Sequence, residues 1–311
     1  MNLLLVEPSE ISDGMCTVRD RRAAHLRTVL GAGVGAWVRA GVIGGALGRA
    51  ELVADDGAAI TLRLALTDPA SVPLPIELVL AIPRPKVLTR VIEAAASFGI
   101  ARTVLTNAWR VDKSYLSSPR LAAEALGLAA RLGAEQGATT HVPEIVIYRR
   151  LMELIDARWP AARPAERAVD RAVDPPLGLA DPAAHRPADP ATDPAAHSSA
   201  DPAAHRPAVL LLAHPGAPPI EVVVPVGSAA ARAPIVLAIG PEGGWIVREV
   251  ETFLARGFAP VSLGAPILRV ETAVAAALGQ LILLRRLAGA TGPAPATRSA
   301  RAAPPAPSAR K

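Results

Sequence analysis

The sequence holds a single cysteine, Cys16, which excludes an internal disulfide and fits a reducing, cytoplasmic setting. No base is evident near Cys16 in the sequence, so it reads as a small packed side chain rather than a nucleophile. No run of about eighteen uncharged apolar residues occurs, so no membrane span is expected. The opening MNLLLVEPSE carries Glu7 and no basic leader, which argues against a signal peptide. Aromatic residues make up only 3% of the chain although 51% of it is hydrophobic, so alanine and branched aliphatics must build the core. A length of 311 residues leaves room for two domains, and a formal charge of +5 favours an anionic partner.

The most informative stretch runs from Ala233 to Leu287. Pro234–Ile239 reads as a buried strand, followed by the loop Gly240, Pro241, Glu242, Gly243, Gly244 and an amphipathic helix. Val250, Phe253 and Leu254 give that helix an apolar stripe, with Arg248, Glu249, Glu251 and Arg256 on the other face. A second strand, Val261–Leu263, leads into a loop from Gly264 to Glu271 and a helix that is apolar on most sides up to Arg285. Glycines let backbone approach a ligand closely, and open α/β sheets bind ligands at the carboxyl ends of their strands. The loop is neither GxGxxG nor GxxxxGK[ST], so a nucleotide-phosphate site is not indicated.

Taken together, IGPEGG and LGAPILRVETA resemble the two signature loops of the SPOUT-class RNA methyltransferases, and within them the 16S ribosomal RNA uridine-N3 methyltransferase family, the RsmE type. The resemblance implies an α/β fold with a C-terminal SPOUT domain tied in a trefoil knot, preceded by a small PUA-like β-barrel that holds RNA. It implies S-adenosylmethionine as cofactor, 16S rRNA in the small ribosomal subunit as partner, uridine 1498 as target, and a homodimer.

Residues 1–70 read as the small barrel. Leu3–Val6, Cys16–Val18, Ala36–Val42, Gly48–Val53 and Ala59–Leu66 are short strand-like runs, interrupted by a helix over Arg21–Leu30 with Ala24, Leu26 and Leu30 turned inward. Arg19, Arg21, Arg22, Arg27 and Arg39 are candidate phosphate contacts. A proline-punctuated linker precedes a second unit over 74–288. It opens with IELVLAI (Ile76–Ile82), a strand buried on both faces, a helix from Val87 to Gly99 and a strand at Thr103–Thr106. The next loop carries Trp109, Arg110, Lys113 and Tyr115, a basic and aromatic set suited to an unstacked base. A helix is expected from about Pro119 to Leu132, followed by Glu135-Gln136 and Pro143, which match the family's EQ…P signature. The chain departs from the family pattern at Ser97, over Gly137 to Thr140, and at Pro266.

Residues 161–207 collapse into Ala, Pro, Asp, Arg and His, with DPAAH recurring at Asp181, Asp193 and Asp201. His185, His197 and His205 lack the converging apolar support a metal site needs, so the segment reads as a disordered insertion and no metal is expected. Residues 289–311 read as a disordered basic tail.

By resemblance, the cofactor would be held by Leu212, His214, Gly240, Glu242, Gly243, Gly244, Leu263, Gly264, Ile267, Leu268 and Thr272, and RNA by Arg22, Arg27, Arg110, Lys113 and Gln136. Arg269 is the candidate for stabilising charge on the uracil oxygens, with Glu271 orienting it or capping the last helix. Two alternatives stay open from the sequence: a SPOUT enzyme with another RNA target, and a non-catalytic RNA-binding or ribosome-assembly protein.

Overall fold

The structure, a computed structural model, describes residues 2–160 and 208–289. The expected insertion at 161–207, with its DPAAH units and histidines, and the tail beyond Gly289 lie outside the described residues. The N-terminal sheet has strands β1 (Leu4–Val6), β2 (Ile11–Ser12), β3 (Met15–Val18), β4 (Trp37–Val42), β5 (Leu47–Asp55) and β6 (Ile60–Asp68) in the order β1-β4-β5-β6-β3-β2. All neighbours are antiparallel except β1 and β4. Helix α1 (Arg21–Thr28) packs on this sheet through Ala23 and Leu26.

The inward face of α1 differs from expectation. Ala24 and Leu30 face solvent, and Arg22 is buried in their place, 3% exposed. Its guanidinium donates to Glu10 at 2.5 Å, to Asp20 and to the Leu5 carbonyl, while Asp20 caps the helix by accepting from the Arg22 backbone at 2.8 Å. An arginine is kept inside here because every donor meets an acceptor.

The second unit alternates strands and helices: β7 (Leu74–Ala81), α2 (Pro85–Ser97), β8 (Ile100–Thr106), α3 (Ala123–Gly137), β9 (Glu144–Tyr148), α4 (Leu151–Arg158), β10 (Val209–Ala213), α5 (Ile220–Val223), α6 (Ala229–Arg232), β11 (Ile235–Ile239), α7 (Val247–Ala255), β12 (Ala259–Val261) and α8 (Val270–Leu287). Its sheet is wholly parallel, in the order β12-β10-β11-β7-β8-β9. β7 and β11, near-continuous runs of Ile, Leu and Val, lie at its centre and are buried on both faces. The fold is α/β. No described helix is long and apolar enough to cross a membrane.

Three local readings change. The helix expected from about Pro119 is a 3-10 turn, Pro119–Leu121, followed by α3, which runs through Glu135 and Gln136 to Gly137. Gly133 and Gly137 do not stop it: a Cβ on either would run into the backbone of α2, at the Glu93 and Ser97 carbonyls respectively. They are contact glycines that let α2 and α3 pack closely. The strand expected at Val261–Leu263 ends at Val261, and β9, α4, α5 and α6 have no counterpart in the sequence reading.

Glu135 joins the two sheets. Its fully buried carboxylate takes both terminal nitrogens of Arg21 at 2.7 and 2.8 Å, and its carbonyl accepts the N–H groups of Asn2 and Leu3 at 3.1 Å. Thr140, where the family pattern is broken, is also buried at this seam: its carbonyl accepts from Gly44, and its N–H and hydroxyl exchange hydrogen bonds with Ser71.

Candidate active site

β7 is where the chain leaves in both directions, with β8 and β9 on one side and β11 and β10 on the other. Beyond such a switch the loops diverge and open a crevice at the carboxyl ends of the strands. A second divergence follows at β10, flanked by β11 and β12, so the loops after β10, β11 and β12 share one end of the sheet.

The glycine loop after β11 is tied on three sides. Glu242 accepts the Arg84 N–H at 2.9 Å, which sets a carboxylate at the N-terminus of α2, where the helix dipole favours it. Arg110, from the loop after β8, donates to the Gly243 carbonyl. Gly244 takes φ +71°, a left-handed conformation that costs other residues, and the turn closes with its N–H on the Pro241 carbonyl at 2.8 Å. Behind the turn, Trp245 begins a chain of edge-to-face contacts through Phe253 and Phe258 to Trp159, with centroids 4.8–5.0 Å apart. In a chain with so few aromatics, four of them brace this loop.

Glu249 was expected on the polar face of α7 but is buried, and Leu254 of the expected stripe is exposed. One Glu249 oxygen accepts from Ile246 at 2.9 Å and the other from Trp109 at 2.8 Å. The loop after β8 is thereby fixed to α7. Buried Ala108 and Val111 anchor it on either side, leaving Trp109 79% exposed and Arg110 on the surface beside Gly243. Lys113 is exposed at the start of a 3-10 turn capped by Asp112, whereas Tyr115 packs against the core.

The loops after β10 and β12 are zipped together: His214 N–H donates to Val261, Ser262 N–H to Pro218 and Ile220 N–H to Ser262. His214 therefore closes a loop through its backbone, and its Nδ1 lies 2.8 Å from the Pro215 carbonyl. Leu212 is inside the ladder between Ala238 and Pro260 with its side chain fully buried. The Leu263 carbonyl accepts from Gln280 of α8 at 3.0 Å. Gly264 has φ +133° and opens an exposed stretch in which Ile267 is 89% exposed. Leu268 is half-buried and Thr272 exposed. Arg269 is the exposed N-cap of α8, and Glu271 lies within the helix's first turn, so Glu271 is not the cap.

The predicted RNA residues scatter. Arg110 and Lys113 lie at the strand ends. Arg22 is buried and committed to carboxylates, so it cannot meet a phosphate. Arg27 pairs with Asp55 at 2.6 Å, and Gln136 is exposed at the seam with Asn2. Burial above all, with the Glu10 charge second, pushes the Cys16 thiol up to about 11, which makes it inert. Sequence reasoning missed Glu249 and Trp245; the Glu249 carboxylate does take the Ile246 N–H, but isoleucine offers no side-chain acceptor in return, so no capping pattern in the sequence signals it.

A family model for an RNA methyltransferase domain matches residues 70–167 and 195–282, together more than half of the chain. The chain belongs to the RNA methyltransferase family. This methyltransferase is 27% identical over 283 residues to the ribosomal RNA small subunit methyltransferase E of Treponema pallidum, with 89% of each chain covered. Among solved structures it resembles ribosomal RNA small subunit methyltransferase E from Neisseria gonorrhoeae, bound to S-adenosyl methionine, with TM-score 0.61 and 20% identity over 91% of this chain and 98% of that one. A methyltransferase from Legionella pneumophila in complex with SAM gives TM-score 0.61 and 20% identity, covering 91% and 97%. The two structural likenesses speak to the fold, and the family match to the enzyme class.

Proposed function

We propose that this RNA methyltransferase transfers the methyl group of S-adenosylmethionine to N3 of a uridine in 16S rRNA, uridine 1498 by resemblance, within the small ribosomal subunit. The observation that carries the reading is the meeting of the loops after β10, β11 and β12 at one end of a parallel sheet, with a basic, aromatic loop tied to the middle one. The positive-φ glycines fit a ligand that needs backbone contact, since Gly244 and Gly264 put no side chain in the way, whereas Gly240 is required by the turn itself, where a Cβ would press on Trp245 N at 3.2 Å. Gly240, Glu242, Gly243 and Gly244, with His214, Leu263, Gly264, Ile267, Leu268 and Thr272, are assigned to the cofactor. When bound, the cofactor supplies an electrophilic methyl group on a sulfonium.

The chain's own task is to hold uracil N3 in line and to manage charge. The N3–H bond gives up its proton to solvent, negative charge develops on the flanking carbonyl oxygens, and the N3 electron pair forms the new C–N bond as the methyl's bond to sulfur breaks, its electron pair staying on the thioether that leaves. Arg269 is assigned to those oxygens, since its guanidinium keeps its charge and is exposed at the N-terminus of α8. Trp109 offers the base a stacking face, and Arg110 and Lys113 meet phosphates.

The finer architecture belongs to the same reading. A trefoil knot is supported by β12 lying outside β10 while α8 returns over α2 and β11. A PUA-like character is supported by the mixed N-terminal sheet closing over its own core. Pairing of two chains through α8 is supported by Leu283 and Leu287, which that helix leaves exposed. A cytoplasmic place follows from the substrate.

The test is incubation with S-adenosylmethionine and small subunits lacking the modification, followed by mass mapping. One methyl on N3 of a single uridine is expected. A methyl on ribose, or on a transfer RNA instead, would overturn the assignment.

A further inference from the structure

The loop after β8 holds an arginine in a place that a phosphate contact does not by itself require. Arg110 is exposed, and among the described residues no carboxylate pairs with it. Asp112, two residues on, is spent on the Ser114 N–H and hydroxyl at 2.9 and 2.8 Å. One terminal nitrogen of Arg110 donates instead to the Gly243 carbonyl. The stem lies flat across that glycine: a Cβ on Gly243 would be 3.0 Å from Arg110 Cδ, 3.3 Å from its Cβ and 3.7 Å from its Cγ. Gly243 has no positive φ, so what its missing side chain serves is the passage of this arginine.

A guanidinium carries its N–H donors in a fixed planar fork, so a bond to one carbonyl leaves others for a second acceptor. The backbone just before it is equally fixed, since the buried Glu249 carboxylate takes the Trp109 N–H at 2.8 Å. The side chain assigned to an RNA phosphate is thus built onto the loop assigned to the cofactor. We propose that Arg110 couples the two substrates: it bridges the Gly243 carbonyl and an RNA phosphate, so that each ligand raises the affinity for the other. The physical cause is shared ordering. A cofactor seated on the glycine loop fixes the Gly243 carbonyl, and with it the guanidinium, before RNA arrives. The phosphate then meets a donor whose freedom is already lost. Linkage makes the effect reciprocal. Lys113 on the same loop is exposed at the start of its 3-10 turn, so it attracts phosphate without carrying the coupling. The inference rests on the reading of these loops as cofactor and RNA sites, and adds the control of one by the other.

The test uses the full chain, small ribosomal subunits lacking the modification, and S-adenosylhomocysteine, which has no methyl to transfer. Affinity for the subunits is measured with and without saturating S-adenosylhomocysteine, and the ratio is the readout. In the wild type a gain of about tenfold is expected, within the usual range of coupling between sites. Arg110→Ala should bring the ratio close to one, and Arg110→Lys, which keeps the charge but not the fork, should do nearly the same. Lys113→Ala should weaken subunit binding yet leave the wild-type ratio intact. A merely structural role for Arg110 would lower both affinities in Arg110→Ala and leave the ratio unchanged, and that result would overturn the inference. So would a wild-type ratio of one, or below one, the latter meaning that cofactor and phosphate compete for the guanidinium. A wild type that binds S-adenosylhomocysteine but no subunits would overturn the RNA target together with the coupling, and one that binds neither would overturn the cofactor assignment as well.

Discussion

The carboxylate of Glu249 accepts the backbone N–H of Trp109 at 2.8 Å and that of Ile246 at 2.9 Å, and so locks the loop after β8 to the start of α7. With Arg110 on the Gly243 carbonyl, the two loops assigned to RNA and to cofactor behave as one body. Glu249 is only 8% exposed, so its removal strands two donors. Glu249→Ala is expected to cost about 1–3 kcal/mol in urea unfolding for the groups left without partners. Glu249→Gln keeps one acceptor oxygen but turns its NH2 toward the other backbone N–H, so it should recover no more than about half of the loss. Full recovery in Glu249→Gln would mean that only one of the two hydrogen bonds matters.

The two glycines at the tip of the loop should respond differently. Gly244 is held at φ +71°, and an alanine there costs about 1–2 kcal/mol of backbone strain. Gly243 has no such strain; a Cβ there would meet Arg110 Cδ at 3.0 Å and Arg110 Cβ at 3.3 Å, and only the first of these contacts is lost when Arg110 becomes alanine. Gly244→Ala is therefore expected to weaken S-adenosylmethionine binding measured by calorimetry by up to about 5–30-fold, the equivalent of that strain, and Gly243→Ala to weaken it less. Adding Arg110→Ala should relieve part of the Gly243→Ala defect and leave that of Gly244→Ala intact. Relief of both, or of neither, would contradict this division.

The Arg21–Glu135 pair should be worth more to folding than an exposed ion pair. Arg21→Ala leaves a fully buried carboxylate without its guanidinium. Breaking a buried pair costs about 3–5 kcal/mol, and because Arg21 itself is partly open to solvent the expected loss is about 2 kcal/mol. Glu135→Ala/Arg21→Ala should be less damaging than Arg21→Ala alone. A double-mutant cycle with no coupling would show that the sheets are joined by backbone contacts only.

Acid should weaken the N-terminal sheet through identified carboxylates. Hydrogen bonds from Arg27, then from Gly57, lower the Asp55 carboxyl to about 2. At Asp20 burial alone would raise the pKa, but hydrogen bonds and charge from Arg22 hold it below the usual value. A depressed native pKa means stability that is fully present above the unfolded value, near 3.9, and lost as pH falls through the native one. Stability from these pairs should thus be constant down to about pH 4 and fall toward about pH 2. Urea titrations at stepped pH should show a shallower fall in Asp55→Asn; an unchanged fall would place the acid sensitivity elsewhere.

What the sequence disclosed follows from what burial does to composition. β7, β10 and β11 are runs of aliphatic residues, legible because a strand covered on both faces admits little else. The glycine loops were legible through their spacing after those strands. Arg22 and Glu249 were misassigned because a charged side chain reads as surface until its partners, Glu10 and Asp20 or Trp109 and Ile246, are known. The helix was expected to end at Leu132, before Gly133, because the helix that Gly133 touches is distant in sequence. β9 and α4 were missed because a short strand at the sheet's edge and a helix with few buried positions carry weak patterns.

Arg269 offers the sharpest separation of binding from chemistry. Bracing of the loop would need Arg269 to grip Glu242 or Glu271, but Glu242 is bonded to the Arg84 N–H and Glu271 makes no ion pair with Arg269. Its own carbonyl starts α8 by accepting from Ala273 at 2.7 Å, a contact that an alanine would keep. Arg269→Ala should then fold and bind S-adenosylmethionine nearly as the wild type does, while single-turnover methylation of small subunits slows about 10²–10³-fold, the usual effect of removing one donor to a developing oxyanion. Arg269→Lys keeps a charge but loses the planar fork, so its rate should fall between the two. A loss of cofactor affinity in step with rate would make Arg269 a brace for the loop. A wild-type rate in Arg269→Ala would remove it from the chemistry altogether.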